Sequence, residues 1–188
     1  MEFIDVWAGE ESPKKRELAR RLGIRLAPGD YSLLLSKDKR ELKQKRPEVD
    51  FVAAKPGSKQ EMNALLTDTR YDFLIVQGFN VGKRNVRMAK RYETAIAVPV
   101  APAFSLRIPS LARTRRNLMR VEKYGGELLI CSGAEDPSQL RSGRDLAAIG
   151  AMLGLRPDYA KKAVRHRPSA ILERNRRRKE SGIPEVGP

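Results

Sequence analysis

Short apolar runs alternate with longer amphipathic segments along most of this chain, and that alternation limits the fold more than any single motif. Strands are expected at Phe3 to Ala8, Tyr31 to Leu35, Phe51 to Ala54, Asp72 to Gln77, Thr94 to Pro99 and Glu127 to Ser132, with a weaker candidate around Ile24 and Leu26. Helices are expected to start near Ser12, Lys37, Ser58, Val81, Ser110 and Ser142. Strand and helix in strict alternation imply parallel strands joined by right-handed crossovers. A closed or nearly closed α/β barrel is favoured, and an open doubly wound sheet stays as the alternative. After Leu155 the strand signals stop, and Pro157 to Val164 and Ser169 to Arg178 read as two extra C-terminal helices. Residues 1–180 are therefore expected to form one barrel-like domain. The basic run Arg174-Asn-Arg-Arg-Arg-Lys179 reads as a helix end leading into a flexible tail at 181–188.

With 188 residues, such a chain can remove roughly 70% of its unfolded surface from water and needs no disulfide or metal staple. Its 38 Lys and Arg exceed its 23 Asp and Glu by a formal +15, which points to a polyanionic partner. Ribosomal, membrane-surface and nucleoprotein roles all satisfy that charge. The start Met1-Glu2-Phe3-Ile4-Asp5 lacks a basic leader region, and no apolar run has membrane-spanning length, so a soluble cytoplasmic protein is expected. The single cysteine, Cys131, sits in the most apolar strand candidate and reads as a buried structural thiol.

Around that strand the order is strand, basic loop, helix. Glu127-Leu-Leu-Ile-Cys-Ser-Gly-Ala134 is followed by Leu140-Arg-Ser-Gly-Arg-Asp-Leu146, then by Leu146, Ile149, Gly150 and Leu153 at helical spacing. Ser142 and Asp145 have capping-box spacing, and Gly154 stands where a left-handed C-cap would fall. Arg144 opposes the helix dipole in the first turn, with Arg141 just upstream, and arginines beside a helix start attract phosphate.

Together with Pro168-Ser-Ala-Ile-Leu-Glu-Arg-Asn175, these segments resemble the archaeal ribonuclease P protein component 3 family, which is related to a eukaryotic RNase P and RNase MRP subunit. The resemblance is densest from about Leu111 to Asn175. Gly143 departs from it, because a proline is expected between the two arginines, and the glycine should loosen that loop. The resemblance implies a barrel-like fold and a non-catalytic subunit of the ribonucleoprotein that removes the 5′ leader of precursor tRNA. It further implies an RNA component that carries the active site and uses Mg²⁺, no cofactor on this chain, and a small α/β protein partner with which the chain supports the RNase P RNA.

Three further readings come from the residues themselves. Gly78-Phe-Asn-Val-Gly82-Lys83-Arg84 has three residues between its glycines and Arg84 after the lysine, so it fails as a nucleotide P-loop. Lys83, Arg84 and Arg87 are left at a helix start, where they can meet an RNA phosphate. Between Leu106 and Lys123, an apolar stripe of Leu111, Leu118 and Val121 is expected to face the core, while Arg113, Arg115, Arg116 and Arg120 crowd the other side with few acids. Lys37 to Lys45, in contrast, alternates with Asp38 and Glu41 and reads as a solvated surface. The lone His166 has no metal-ligand spacing, and Asp5, Asp50 and Asp72 are assigned to strand starts, away from the usual active face of a barrel. A metal-dependent phosphoesterase and a general RNA-binding or ribosome-associated protein are the alternatives to the RNase P reading.

Overall fold

The computed structural model describes residues 2–104 and 108–181. The order is β1 (Phe3–Asp5), α1 (Pro13–Leu22), β2 (Ile24–Leu26), β3 (Leu33–Leu35), α2 (Lys39–Lys45), β4 (Phe51–Ala54), α3 (Lys59–Leu65), β5 (Phe73–Ile75), α4 (Lys83–Arg91), β6 (Ala95–Pro99), α5 (Ile108–Lys123), β7 (Leu128–Cys131), α6 (Gly143–Met152), α7 (Pro157–Lys161) and α8 (Arg167–Ser181). The weak candidate at Ile24 is a true strand. The expected tail lies outside the described residues except for Ser181, which ends α8.

All pairings are parallel, in a two-stranded sheet β1-β2 and a five-stranded sheet β3-β4-β5-β6-β7. Strand order follows chain order without the reversal that defines a doubly wound sheet, so the barrel-like arrangement holds. The two sheets meet where the Gly133 amide donates to the Trp7 carbonyl at 2.9 Å and the Ser132 amide donates to Asp5 Oδ1 at 3.0 Å.

Strand side chains alternate between two apolar clusters. Phe51, Ala53, Phe73, Ile75, Ala95, Ala97, Leu129 and Cys131 point inward with Ile4 and Val6. Val52, Ala54, Leu74, Val76, Ile96, Val98, Leu128 and Ile130 point outward to the helices. With both faces covered, β4 to β7 are apolar throughout, and for that reason these strands stand out in the sequence. Phe51 and Phe73 meet edge to face at 6.1 Å inside the barrel, where the small Ala95 and Ala97 leave them room.

Ile171 and Leu172 of α8 join this interior cluster. Asn175 donates to the Asp50 carbonyl and to Asp72 Oδ2, each at 2.9 Å, so α8 lies across the end of the barrel where β4 and β5 begin. The two expected terminal helices are one continuous element, because a wide π turn at Lys162–His166 carries α7 into α8. Pro168 in the first turn of α8 has no amide hydrogen and would crowd the carbonyl four residues back, and the wider turn ahead of it accommodates that ring.

Candidate nucleic-acid interface

The segment before α4 is fixed from α5. The Val81 amide donates to Asn117 Oδ1 at 2.8 Å, Asn117 Nδ2 donates to the Phe79 carbonyl at 2.7 Å, and Arg120 Nη1 donates to the Val81 carbonyl at 3.0 Å. The Gly82 amide donates to Asn85 Oδ1 at 2.8 Å. The amides of Val81 and Gly82 are thereby consumed within the protein, and the loop is no phosphate cradle of the nucleotide-binding kind. Its contribution to a polyanion site is the exposed side chains of Lys83, Arg84 and Arg87.

α5 departs from the expected stripe. Leu118 and Val121 are buried, but Leu111 is 41% exposed, and the polar Thr114 and Asn117 occupy the inward positions. Asn117 is the residue that sequence reading missed. It stands where a core leucine would, and its amide group supplies both a donor and an acceptor to the Phe79–Val81 backbone. The spacing of Thr114, Asn117, Leu118 and Val121 carries the helical period, but the polarity of Thr114 and Asn117 conceals it.

Asn117 and Arg120 seat α4 against α5 and so merge two clusters that are separate in sequence. Lys83 of α4 and Lys123 of α5 both lie over the Tyr124 ring, at 5.8 and 5.9 Å. Arg115 and Arg116 are exposed, and Arg116 Nη1 is 3.4 Å from Asn80 Oδ1. Arg113 and Arg120 are half-buried. Along α5 runs an open groove of about 750 Å³, floored by Ala112 and Met119 and rimmed by Arg115, Arg116, Arg120, Lys123 and Arg156. Its one carboxylate, Glu122, is paired with Arg156 at 2.7 Å.

Arg141 and Arg144 are not drawn into this face. Arg141 spends Nη1 on the carbonyls of Ser138 and Leu140, each at 2.7 Å, and so closes the turn before α6. Arg144 is exposed. The start of α6 is capped as expected: the Asp145 amide donates to Ser142 Oγ at 3.1 Å, and Ser142 Oγ donates to Asp145 Oδ2 at 2.8 Å. That carboxylate already takes the place an incoming anion would seek. The glycine expected to loosen this loop is instead buried. A Cβ at Gly143 would lie 2.1 Å from Phe3 ring carbons, so the Phe3 ring fills the space a proline would need.

Asp50 and Asp72 do precede their strands. Asp72, 1% exposed, receives Arg46 Nη1 and Nη2 at 2.7 and 2.8 Å, the Val52 amide at 2.8 Å and Arg174 Nη2 at 3.3 Å. Asp5 corrects the expectation, because it ends β1 and lies at the opposite end of the barrel. It is fully buried, accepts the Ser132 amide, and keeps Oδ2 without a partner. Burial pushes its carboxyl up to about 6 against the lowering effect of those hydrogen bonds. Nearby Lys15 is also buried and spends its ammonium group on the carbonyls of Ala8, Glu10 and Ala134 at 2.9, 2.8 and 2.6 Å. Cys131 is buried as expected, with its thiol pushed up by desolvation. Among the described residues no three His, Cys, Asp or Glu side chains group where a metal ion could be held, and no helix is long and apolar enough to cross a membrane.

Fold and surface together define a parallel α/β barrel-like protein with one strongly basic flank. The model of the family described as RNase P subunit p30 matches residues 13–180, and the chain belongs to that family. Among its relatives, the ribonuclease P protein component 3 of Methanosarcina barkeri is 31% identical over 139 residues, which span 70% of this chain and 58% of that protein. The protein of the same name from Methanosarcina acetivorans is 28% identical over the same shares. The match thus spans less than two thirds of the length of these relatives. A chain in a cryo-EM structure of archaeal ribonuclease P with mature tRNA shares the fold, with a TM-score of 0.67 at 19% identity over 98% of this chain and 86% of that one.

Proposed function

We propose that this chain is a protein subunit of ribonuclease P, the ribonucleoprotein that removes the 5′ leader from precursor tRNA, and that it binds and supports the catalytic RNA. Family membership supports the assignment, and the joined α4–α5 face is the observation that carries the RNA contact. Among the described residues no ion pair engages Lys83, Arg84, Arg87, Arg115 or Arg116, although each is exposed. Their charges are set on two helices locked together by Asn117 and Arg120, so the array is held in register before RNA arrives. Arginine forks suit phosphate oxygens, and the scarcity of aromatics favours recognition of folded RNA by backbone and shape over base stacking.

Chemistry belongs to the RNA component, which uses Mg²⁺. The protein's part is to neutralise close-packed phosphates. A small α/β protein partner completes the unit, and the arginine-rimmed groove over Met119 or the Arg144 end of α6 is available to it.

The test is to recover the tagged chain from its own cells in moderate salt, sequence the bound RNA and assay the eluate on precursor tRNA. One dominant structured RNA together with 5′-leader removal is the expected result. A broad RNA spectrum without that activity would overturn the assignment and leave a general RNA-binding protein.

A further inference from the structure

A second run of cations, Arg174 to Lys179, lies in α8, and the structure divides it into two sets. Arg174 reaches Asp72 at 3.3 Å, Asn175 is buried between Asp50 and Asp72, and Lys179 lies 3.6 Å from Asp50. With Ile171 and Leu172 in the barrel interior, these residues seat the helix. Arg176, Arg177 and Arg178 take no part in that seating. All three are exposed, and among the described residues no carboxylate forms an ion pair with them.

The plain explanation for cations here is the helix dipole, which favours positive charge in the last turn. It covers Arg178 and Lys179 but not Arg176 and Arg177, which precede that turn. At 100° per residue Arg176 and Arg177 lie on the outward side of α8, and Arg178 follows in its exposed last turn. On a frayed terminus such charges would lose conformational freedom on binding, which weakens a contact. Here the backbone is pinned by Asn175 and the buried Ile171 and Leu172, so that cost is largely met by folding. The group is wholly arginine, which binds phosphate by paired hydrogen bonds where lysine offers a point charge.

Placement adds a geometric consequence. α8 crosses the end where β5 begins, at Asp72, whereas α4 starts beyond the other end of the same strand. From Asp72 to Val76 alone the chain rises roughly 13 Å at about 3.3 Å per residue. Lys83 and Arg84 therefore stand toward the end of the barrel opposite α8, while the last turn of α4 returns toward it and brings Glu93 within 3.9 Å of Arg174.

We propose that Arg176, Arg177 and Arg178 form a second phosphate-binding surface for structured RNA, so that the protein grips RNA at two separated places. The ligand class rests on the RNA-binding reading of the α4–α5 face, and the experiment separates the two. Binding of the full chain to a transcript of archaeal RNase P RNA is measured across a salt series. The wild type is compared with an Arg176→Ala/Arg177→Ala/Arg178→Ala variant and a Lys83→Ala/Arg84→Ala/Arg87→Ala variant. Each triple is expected to lower affinity on the order of tenfold and to flatten the salt slope by about one for every phosphate no longer neutralised. Normal affinity in the α8 variant beside weakened binding in the α4 variant would overturn the second surface alone, and would assign the α8 arginines to a protein partner. Unchanged binding in both would overturn the RNA reading itself. Arginine-modifying footprinting of the unaltered protein avoids any dependence on variant folding: RNA should shield Arg176 to Arg178 as well as Arg84 and Arg87, and shielding of only the latter pair would again sink the inference.

Discussion

Residues 1–82 and residues 83–188 handle charge differently. The first stretch holds fifteen Lys and Arg against thirteen Asp and Glu, and the second twenty-three against ten, so thirteen of the fifteen net positive charges belong to the second. In the first, cations largely meet acids close by: Arg16 with Glu11, Arg21 with Glu17 at 3.1 Å, Arg25 with Asp30 at 3.1 Å, Lys37 with Glu61 and Lys45 with Glu41 at 2.8 Å. In the second, acids are fewer: Asp145 caps a helix, and Glu122 pairs with Arg156 at 2.7 Å. Exposed pairs of the first kind stabilise by only about 0–1 kcal/mol each. Their main effect is to leave that side with little net field, while α4, α5 and the end of α8 keep theirs for a polyanion.

The sharpest break of this contrast is at Asp72, where Arg46 of the first stretch and Arg174 of the second share a buried carboxylate. Asp72→Ala would leave Arg46 and Arg174 without their shared carboxylate, and a loss of about 3–5 kcal/mol is expected in urea unfolding. A smaller loss would show that α8 is seated mainly by Ile171, Leu172 and the Asn175 bond to the Asp50 carbonyl. The functional arm comes next. Lys83→Ala/Arg84→Ala/Arg87→Ala/Arg115→Ala should weaken binding to RNase P RNA on the order of ten- to hundredfold with little change in Tm. An Arg16→Ala/Arg20→Ala/Arg21→Ala variant on α1 should bind almost as the wild type does, and equal weakening in both would erase the distinction between the halves.

Asp5 supplies the third test. Its folded carboxyl sits at about 6 against an ordinary 3.8. Because the folded value is raised, the neutral form is the stabilised one. That contribution is fully present below about pH 3.8 and is lost as pH rises through about 6, an effect on the order of 3 kcal/mol. Relative to Asp5→Asn, which cannot ionise, the wild type should lose stability between those pH values, and parallel pH curves for the two proteins would refute the assignment. The smallest effect is local. Gly143→Ala should cost about 1–3 kcal/mol by forcing a methyl into the Phe3 ring. A second change, Phe3→Leu, should recover part of that loss if the ring is the obstacle.

Much of the fold was legible because burial on both faces writes itself into composition. Phe51–Ala54 was located to the residue, and Ala95–Pro99 and Leu128–Cys131 to within one at either end, since a strand between barrel interior and helix layer admits only apolar side chains. The helix starts near Ser12, Ser58 and Ser142 were legible for a local reason: in the fold each hydroxyl accepts an amide three residues on. Leu111 fits the helical period yet stays exposed, whereas the backbone of Phe79–Val81 opposite α5 is polar and is met by Asn117 and Arg120.

By itself the sequence determined the alternation of strand and helix, the apolar strands and the excess of arginine, because each follows from residue type and short-range spacing. Only the tertiary structure decided which cations act together. It joined the α4 and α5 clusters through Asn117 and Arg120, left Arg141 to close a turn, filled a missing proline's place with the Phe3 ring, and moved Asp5 to the far end of the barrel. Apart from the local turn at Arg141, those outcomes depend on contacts between residues tens of positions apart, and such distances are set by packing and not by any periodicity along the chain.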